Sequence, residues 1–283
     1  MKGYCGCGPG YNIASICLHQ GEEPPINGLH GICNIFFTGC NLQCIYCQNH
    51  QISKRRNITQ FPEWSLEQVI QKIIFYLDQG VEALGFVSPT HHTPHVKAII
   101  HELHSRGVHP VTVYNTNGYD RVDVLQQLEG IIDVYLPDFK YLDSSLSKRY
   151  SEAENYPEIA RMALKEMFRQ KGSTVVLNDN GQAVTGLIIR HLVLPGHVKD
   201  SISIMEWIAG ELSPSVHISL MSQYYPAVSV PGYPELHRKI SEQEYQEVVE
   251  AMEHLGFYRG WFQEPESSSA YRPDFNRGNP FKS

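Results

Sequence analysis

The chain has 283 residues, of which 42% are hydrophobic and 19% are charged, and its formal net charge is −7. This composition is typical of a soluble globular protein with one large domain or two small ones. The negative charge and the lack of a basic stripe argue against a general nucleic-acid-binding protein, and no apolar run reaches the ~20 residues that a membrane span needs.

The first half of the chain alternates β-type runs with helical patterns. The run "NIFF" (34–37) predicts a strand that leads directly into a loop with three cysteines. A capping box formed by Ser65 and Gln68 predicts the start of an amphipathic helix. A strand over 82–88 and a helix over about 95–106 follow.

The second half continues the same alternation. Its predicted strands share short runs rich in β-branched residues, and its predicted helices share apolar residues at helical spacing. The predicted strands cover 110–115, 131–136, 187–194 and 216–221, and a hairpin arm precedes the third of them. The predicted helices lie near 121–129, 156–171 and 201–212, and a last helix begins at Ser241, which forms a capping box with Glu244.

Together these elements make six consecutive β–α units. Such alternation predicts a parallel sheet with right-handed crossovers, either open or curled into a barrel. Six units fall short of the eight that close a full barrel. Because no internal repeat or flexible linker divides the chain, a single α/β domain is expected.

A polar segment follows each of the six predicted strands. The carboxyl ends of parallel strands meet at one edge of a sheet, where α/β folds place their chemistry. The segments are "TGCNLQC", "SPTHHTP", "NTNGYD", "PDFKY", "PGHVKD" and "SQYYP". None of them carries a glycine-rich dinucleotide fingerprint, so the sequence predicts a site at this edge that is not an ordinary nicotinamide pocket.

All seven cysteines lie near the start of the chain, at Cys5, Cys7, Cys17, Cys33, Cys40, Cys44 and Cys47. A disulfide scaffold would spread its cysteines along the chain, so this clustering favours a metal or cluster site. The start of the chain lacks the apolar segment of a secretion signal, which predicts a cytoplasmic location where thiols stay reduced. The four cysteines before residue 40 also allow a second metal site, although C-x-C spacing suits a cubane poorly.

Cys40, Cys44 and Cys47 form a C-x3-C-x2-C loop whose sulfurs can converge on one inorganic centre. One interpretation is a [4Fe–4S] cluster with an open iron, since a saturated ferredoxin-type site would supply four cysteines. The other is a zinc ion that His50 closes as a Cys3His site. The position of the loop, which faces five other polar segments, favours the cluster, because a structural zinc is better placed at a periphery.

The segment "IFFTGCNLQCIYCQN" resembles the signature of radical S-adenosylmethionine (radical SAM) enzymes, and specifically of the pyruvate formate-lyase-activating enzymes. Similar segments continue along most of the chain, namely "GEEPPINGLHG", "SPTHHTP", "YNTNGYD", "VYLPDFKY", "RHLVLPGH", "MSQYYP" and "PDFNRGNPF". The cysteine motif is highly specific, and the later segments are similar to those of uncharacterised homologues of the activating enzymes.

This resemblance implies a fold as well as cofactors. It implies a partial (β/α)6 barrel of the radical SAM type over 32–225, with an amino-terminal extension over 1–31 and a carboxyl-terminal helix and tail over 226–283 packed on it. The three cysteines of the motif would hold one [4Fe–4S] cluster, and S-adenosylmethionine would chelate the open iron.

The implied activity is that of a radical SAM oxidoreductase working under anaerobic conditions. Flavodoxin or ferredoxin would supply an electron, and cleavage of S-adenosylmethionine would give methionine and a 5′-deoxyadenosyl radical that abstracts a hydrogen atom. The resemblance favours a glycine of a glycyl radical enzyme as the substrate. Radical modification of another peptide or small molecule is the alternative within this class, and a zinc-stabilised binding protein without redox activity is the alternative outside it.

The resemblance also implies contacts to S-adenosylmethionine. Ser88 and Thr90 stand where the activating enzymes carry the Gly-Gly-Glu motif that binds the methionyl amino group. They depart from that motif, so a hydroxyl or the imidazole of His91 or His92 would have to accept the hydrogen bond. A solvent-facing turn is the alternative. Tyr46, inside the cysteine motif, belongs to the same predicted cofactor set.

Five further cofactor contacts are implied on the later strands. Asn115 and Asn117 match the Asp-Thr-Asn-Gly segment of the activating enzymes, with Asn115 in place of the acid. Asp138 and Lys140 match Asp-x-Lys and would bind ribose hydroxyls and the methionine carboxylate, with a surface ion pair as the alternative. Arg190, in an otherwise apolar strand, needs a partner, which is either the cofactor carboxylate or an acid of the core.

Overall fold

The computed structural model describes residues 4–227, 230–263 and 273–281. Its strands are β1 (Tyr11–His19), β2 (Ile32–Phe37), β3 (Glu63–Trp64), β4 (Ala83–Val87), β5 (Val111–Thr116), β6 (Val134–Pro137), β7 (Val176–Leu177), β8 (Ala183–Leu192), β9 (His217–Met221) and β10 (Gly260–Phe262). Its α-helices are α1 (Pro24–Asn27), α2 (His50–Ser53), α3 (Leu66–Leu77), α4 (Thr93–Ser105), α5 (Val122–Gln126), α6 (Ser144–Ser151), α7 (Tyr156–Lys171), α8 (Val198–Glu211) and α9 (Glu242–His254).

The described strands form one sheet with the order β10-β9-β8-β6-β5-β4-β2-β1-β3, and β7 pairs with β8. The neighbours from β2 to β9 are parallel, and they are the six strands that the sequence predicts. Among the described strands, β10 and β3 end the order without pairing to each other, so the sheet is open. The predicted α/β fold, a partial (β/α)6 barrel, is confirmed.

Local sequence signals explain where several helices begin. Both predicted capping boxes are present: the Ser65 side chain accepts a hydrogen bond from the backbone N–H of Gln68, and Ser241 accepts one from Glu244. Each satisfies an N–H group that the first helical turn leaves without an internal partner.

In the described parts of the chain, no helix combines the length and the apolar character needed to cross a bilayer.

Side chains alternate between the two faces of the sheet. Those at positions such as Phe86, Tyr114 and Tyr135 pack with the helices in the main hydrophobic core. Their neighbours along the strands point to the opposite, concave face, because successive residues of a strand face opposite sides. Near the amino ends of the strands this concave face is apolar, as at Val113 and Val134.

Strand β1 and helix α6 are among the elements that are missing from the sequence prediction. Strand β1 pairs antiparallel with β2, and a register shift between Ile13 and Ser15 breaks the strict alternation that would have indicated a strand. Helix α6 is short and polar, so it lacks a clear apolar stripe. Its start is set by the Asp143 carboxylate, which accepts a hydrogen bond from the backbone N–H of Ser145.

The turn after β5 requires a glycine at position 118. Gly118 has φ +77°, and a Cβ atom there would lie 2.3 Å from the carbonyl oxygen of Asp138. Gly107 has a similar φ of +75°, with nothing within 4 Å of an added Cβ. Gly107→Ala should lower the free energy of unfolding by about 1–2 kcal/mol through the left-handed conformation alone.

Gly118→Ala should lower the free energy of unfolding by roughly 2 kcal/mol more than Gly107→Ala, because the peptide at Asp138 must also shift. Urea denaturation of both variants, followed by circular dichroism, measures the difference. Equal losses of unfolding free energy in the two variants would contradict the close approach of Gly118 to the carbonyl oxygen of Asp138.

Candidate functional site

The cysteine loop begins at the carboxyl end of β2 and is fixed at three points. The backbone N–H of Gly39 donates to the carbonyl oxygen of Ile52 over 2.8 Å, which joins the two ends of the loop. In the middle of the loop, the N–H of Ile45 donates to the carbonyl oxygen of Tyr150 over 2.8 Å. The Lys54 ammonium donates to the carbonyl of Cys44 at 2.9 Å. These bonds hold the loop against the end of α6.

Each of the three loop sulfurs accepts a hydrogen bond from a side chain. The pairs are Asn117 Nδ2 with Cys40 at 3.3 Å, Ser151 Oγ with Cys44 at 3.0 Å, and Ser53 Oγ with Cys47 at 3.3 Å. Such donors stabilise negative charge on sulfur and tune the potential of an iron–sulfur cluster. Ser53 and Ser151 are absent from the sequence prediction, and Ser151 lies 107 residues from Cys44, where no local pattern indicates it.

Two of the three loop thiols, Cys40 and Cys44, are buried, and burial favours the neutral thiol over the thiolate. Burial, and after it the nearby Cys44, raises the pKa of Cys40 to about 12. Burial likewise raises the pKa of Cys44. The thiolate form that binds iron therefore depends on the positive charge of the metal itself.

A chain of hydroxyl groups connects the side chain of Tyr46 to the sulfur of Cys44. The Tyr46 hydroxyl lies 2.6 Å from that of Tyr141, which lies 2.9 Å from Ser151 Oγ, the donor to Cys44. Burial raises the pKa of Tyr46 and of Tyr141 well above 10, so both phenols keep their protons. The side chain of Tyr46 therefore helps to hold the cysteine loop in place.

A cavity of about 470 Å³ opens beside the loop at the carboxyl edge of the sheet. This volume lies in the usual range for small-molecule sites. Ten of the residues predicted for the site line it, namely Cys40, Cys44, Tyr46, Cys47, Ser88, Asn115, Asn117, Asp138, Lys140 and Arg190. Thr90 is not among the lining residues, and its hydroxyl lies 3.0 Å from that of Thr116.

The alternation of the strands explains why distant residues meet in this cavity. Asn115, Asp138 and Arg190 occupy positions that face the concave side, whereas Tyr114 and Tyr135 face the helices. Asp138 and Arg190 are also directly paired across neighbouring strands. The period of two along each strand therefore brings the polar positions to one wall.

The segment after β4 presents Ser88, and not its histidines, to the cavity. Ser88 has a left-handed φ of 55°, and its backbone N–H donates to the carbonyl oxygen of Asn115 over 2.9 Å. The Nε2 atoms of His91 and His92 instead face the carbonyl oxygen of Thr38, at 3.0 and 3.4 Å. Neither imidazole is among the residues that line the cavity.

Asp138 and Lys140 form an ion pair inside the cavity rather than on the surface. Lys140 Nζ lies 2.6 Å from Asp138 Oδ2, and the exposed fractions of the two side chains are 17% and 23%. Burial opposes the charge of Lys140, but Asp138 and the Cys44 sulfur together raise its pKa above 10.5. A cation consequently stands next to the cysteine loop.

Arg190 has acids of the protein as its partners. Its Nε lies 2.8 Å from Glu23 Oε1, and its Nη2 bonds both Glu22 and Glu23. Burial alone would raise the pKa of Glu22, but Arg190, then His19, lowers it below 4.5. The core ion pair that the sequence allowed is formed, through Nε and Nη2 of the guanidinium.

The positions of the loop cysteines and of His50 favour the cluster over the zinc interpretation. A tetrahedral zinc, with Zn–S bonds of ~2.3 Å, draws its sulfurs to within about 4 Å of one another. Among the described residues, Cys40, Cys44 and Cys47 are not a set with all ligand atoms within 4.8 Å, with or without His50. His50 also does not line the cavity. Three cysteines that line one cavity suit a cubane, which would leave one iron for another ligand.

Comparison with known proteins agrees with this geometry. Residues 34–206, more than half of the chain, match the radical SAM superfamily, so the chain belongs to that superfamily. Its members are enzymes of radical chemistry that use a [4Fe–4S] cluster and S-adenosylmethionine, and the donor set described above suits both. A relative is the "Uncharacterized protein MJ0674" of Methanocaldococcus jannaschii, 29% identical over 256 residues, covering 89% of this chain and 70% of that protein.

Solved structures share the fold at low sequence identity. Streptococcus suis SuiB bound to S-adenosylmethionine has a TM-score of 0.53 at 12% identity, covering 80% of this chain and 48% of that one. The FeFe-hydrogenase maturase HydG of Carboxydothermus hydrogenoformans has a TM-score of 0.54 at 13% identity, covering 82% and 53%. The chain spans about half the length of these structures.

Metal content should separate the role of Cys47 from that of His50. After anaerobic purification, His50→Ala should retain the wild-type iron content of about four per chain, because its ring does not face the cavity. Cys47→Ala should lose most of that iron. Inductively coupled plasma mass spectrometry measures both, and Cys17→Ala, a buried thiol on β1, is the matched control. Loss of the metal in His50→Ala would contradict the assignment.

Proposed function

We propose that this radical SAM enzyme activates a glycyl radical enzyme by abstracting a hydrogen atom from a glycine of that partner. The observation that carries the proposal is the convergence of separate segments on one cavity. The segments by which the chain resembles the activating enzymes supply the wall: the cysteine motif, Asn115 and Asn117, Asp138 and Lys140. These segments are far apart in sequence, and the fold brings them together.

The protein's own groups would hold the cofactors in distinct ways. Cys40, Cys44 and Cys47 would bind three irons of the cluster. Lys140, which lines the cavity, would pair with the carboxylate of S-adenosylmethionine, and Asp138 would accept hydrogen bonds from its ribose hydroxyls. Arg190 is left out of this set, because its guanidinium pairs with Glu22 and Glu23.

The charge of the cavity wall supports a cationic ligand. Lys140 and Arg190 contribute two positive charges, whereas Glu22, Glu23 and Asp138 contribute three negative ones, so these five groups sum to −1. S-adenosylmethionine carries a sulfonium in addition to its amino and carboxylate groups. A wall of net negative charge attracts such a ligand.

The bound cofactors supply reductive cleavage of the sulfonium, which yields the radical that abstracts the hydrogen atom. The protein's contribution is to orient the ligand and to exclude water. Apolar side chains complete the cavity wall for this purpose, namely Phe36, Leu42, Val87, Leu192 and Met221. Flavodoxin or ferredoxin is the proposed electron donor.

Incubation of the reduced protein with S-adenosylmethionine tests the chemistry. The reaction should produce 5′-deoxyadenosine, and with a glycyl radical enzyme deuterated at its glycine the product should carry deuterium. Cleavage without deuterium transfer from any glycyl radical partner of the same genome would redirect the proposal to another peptide or small-molecule substrate. A protein that does not cleave S-adenosylmethionine would contradict it altogether.

Lys140→Met should weaken S-adenosylmethionine binding by roughly 10- to 100-fold, because a charged hydrogen bond is worth about 1.5–3 kcal/mol. Isothermal titration of the reconstituted protein measures the affinity. Lys165→Met, which removes an exposed lysine that pairs with Glu211, should leave it unchanged. Unaltered affinity in Lys140→Met, with iron content intact, would contradict the assigned role.

A further inference from the structure

A second cluster of metal-binding side chains lies outside the cavity. The sulfurs of Cys5 and Cys7 and a ring nitrogen of His91 all lie within 4.8 Å of one another. Cys7 is buried, whereas Cys5 and His91 are partly exposed. Gly6, with φ 81°, turns the chain between the two cysteines, a conformation that glycine adopts without strain.

The imidazole of His91 has one nitrogen without a hydrogen-bond partner. Its Nε2 lies 3.0 Å from the carbonyl oxygen of Thr38, an acceptor that requires the proton on that nitrogen. Its Nδ1 is buried and has no hydrogen-bond partner. A neutral histidine whose outer N–H donates to a carbonyl, leaving the other nitrogen free, has the arrangement typical of metal-bound histidines.

We propose that Cys5, Cys7 and His91 bind one thiophilic divalent cation, with zinc as the chemical class that the donor set suits best. Two thiolates and an imidazole form a Cys2His set, and a water molecule would complete the tetrahedron as the fourth ligand. Binding releases the two thiol protons to solvent. The compact set is too small for a cubane, whose thiolates bind separate irons.

The position of this site gives it a structural consequence. The Cys7 thiol, at 3.0 Å, and His91 Nε2 both donate to the carbonyl oxygen of Thr38, which precedes the cysteine loop by two residues. Deprotonation of Cys7 on metal binding would break the first of these bonds and leave that of His91. His91 belongs to the 3-10 helix Thr90–His92 that follows β4. An ion here would therefore join the start of the chain to the carboxyl ends of β2 and β4. The site does not depend on the substrate proposed above.

Zinc and iron contents of the anaerobically purified full-length protein test the proposal. Wild type should hold about one zinc per chain beside the iron of the cluster. The double variant Cys5→Ser/Cys7→Ser and the single variant His91→Ala should lose the zinc and keep the iron. Cys17→Ala should keep both metals. Zinc in the double variant equal to that of wild type would overturn the proposal, as would loss of iron in its place.

X-ray absorption at the zinc edge of the wild-type protein tests the ligands without any substitution. The expected shell has two sulfurs at about 2.3 Å and two nitrogen or oxygen atoms at about 2.0–2.2 Å. A shell of three or four sulfurs, or of nitrogen and oxygen alone, would overturn the assignment. So would the absence of zinc, or a disulfide between Cys5 and Cys7 found by mass spectrometry under anaerobic, non-reducing conditions.

Discussion

A buried arginine links two parts of the sheet that lie far apart in its strand order. Arg190 belongs to β8, whereas Glu22 and Glu23 follow β1, and four strands separate β8 from β1 in the open sheet. Burying these charges is costly unless each finds a partner, so the contact holds the concave face at one curvature. Asn34 of β2 donates to Glu22 at 2.7 Å, and Gly85 leaves room for its amide, which extends the same network to β4.

The cavity above this network is built from parts that no single segment contains. The cysteine loop supplies the sulfurs, but their hydrogen-bond donors come from α2, from the turn after β5 and from the end of α6. Such an arrangement forms only when the whole sheet has folded. Because packing fixes these donors, the electrostatic environment of a cluster is set before any ligand binds.

Local patterns predicted what depends on local physics. The positions of the six parallel strands follow from short-range periodicity. The capping boxes at Ser65 and Ser241 follow from hydrogen bonds between residues three positions apart. An arginine in an apolar strand indicated that Arg190 needs a partner, but not which one. Ser151 and the turn of His91 towards Thr38 arise from contacts over 107 and 53 residues, so a single sequence carries no signal for them.

The last described segment, 273–281, shares a small core with the first strands. The ring of Phe275 lies 5.2 Å from that of Phe36, and the Gln51 amide donates to Asp274 at 3.2 Å. Cys17 of β1 belongs to the same cluster of buried side chains. The two ends of the described chain are therefore energetically coupled, and a truncation at the carboxyl end would loosen the amino-terminal strands rather than leave them as an independent folding unit.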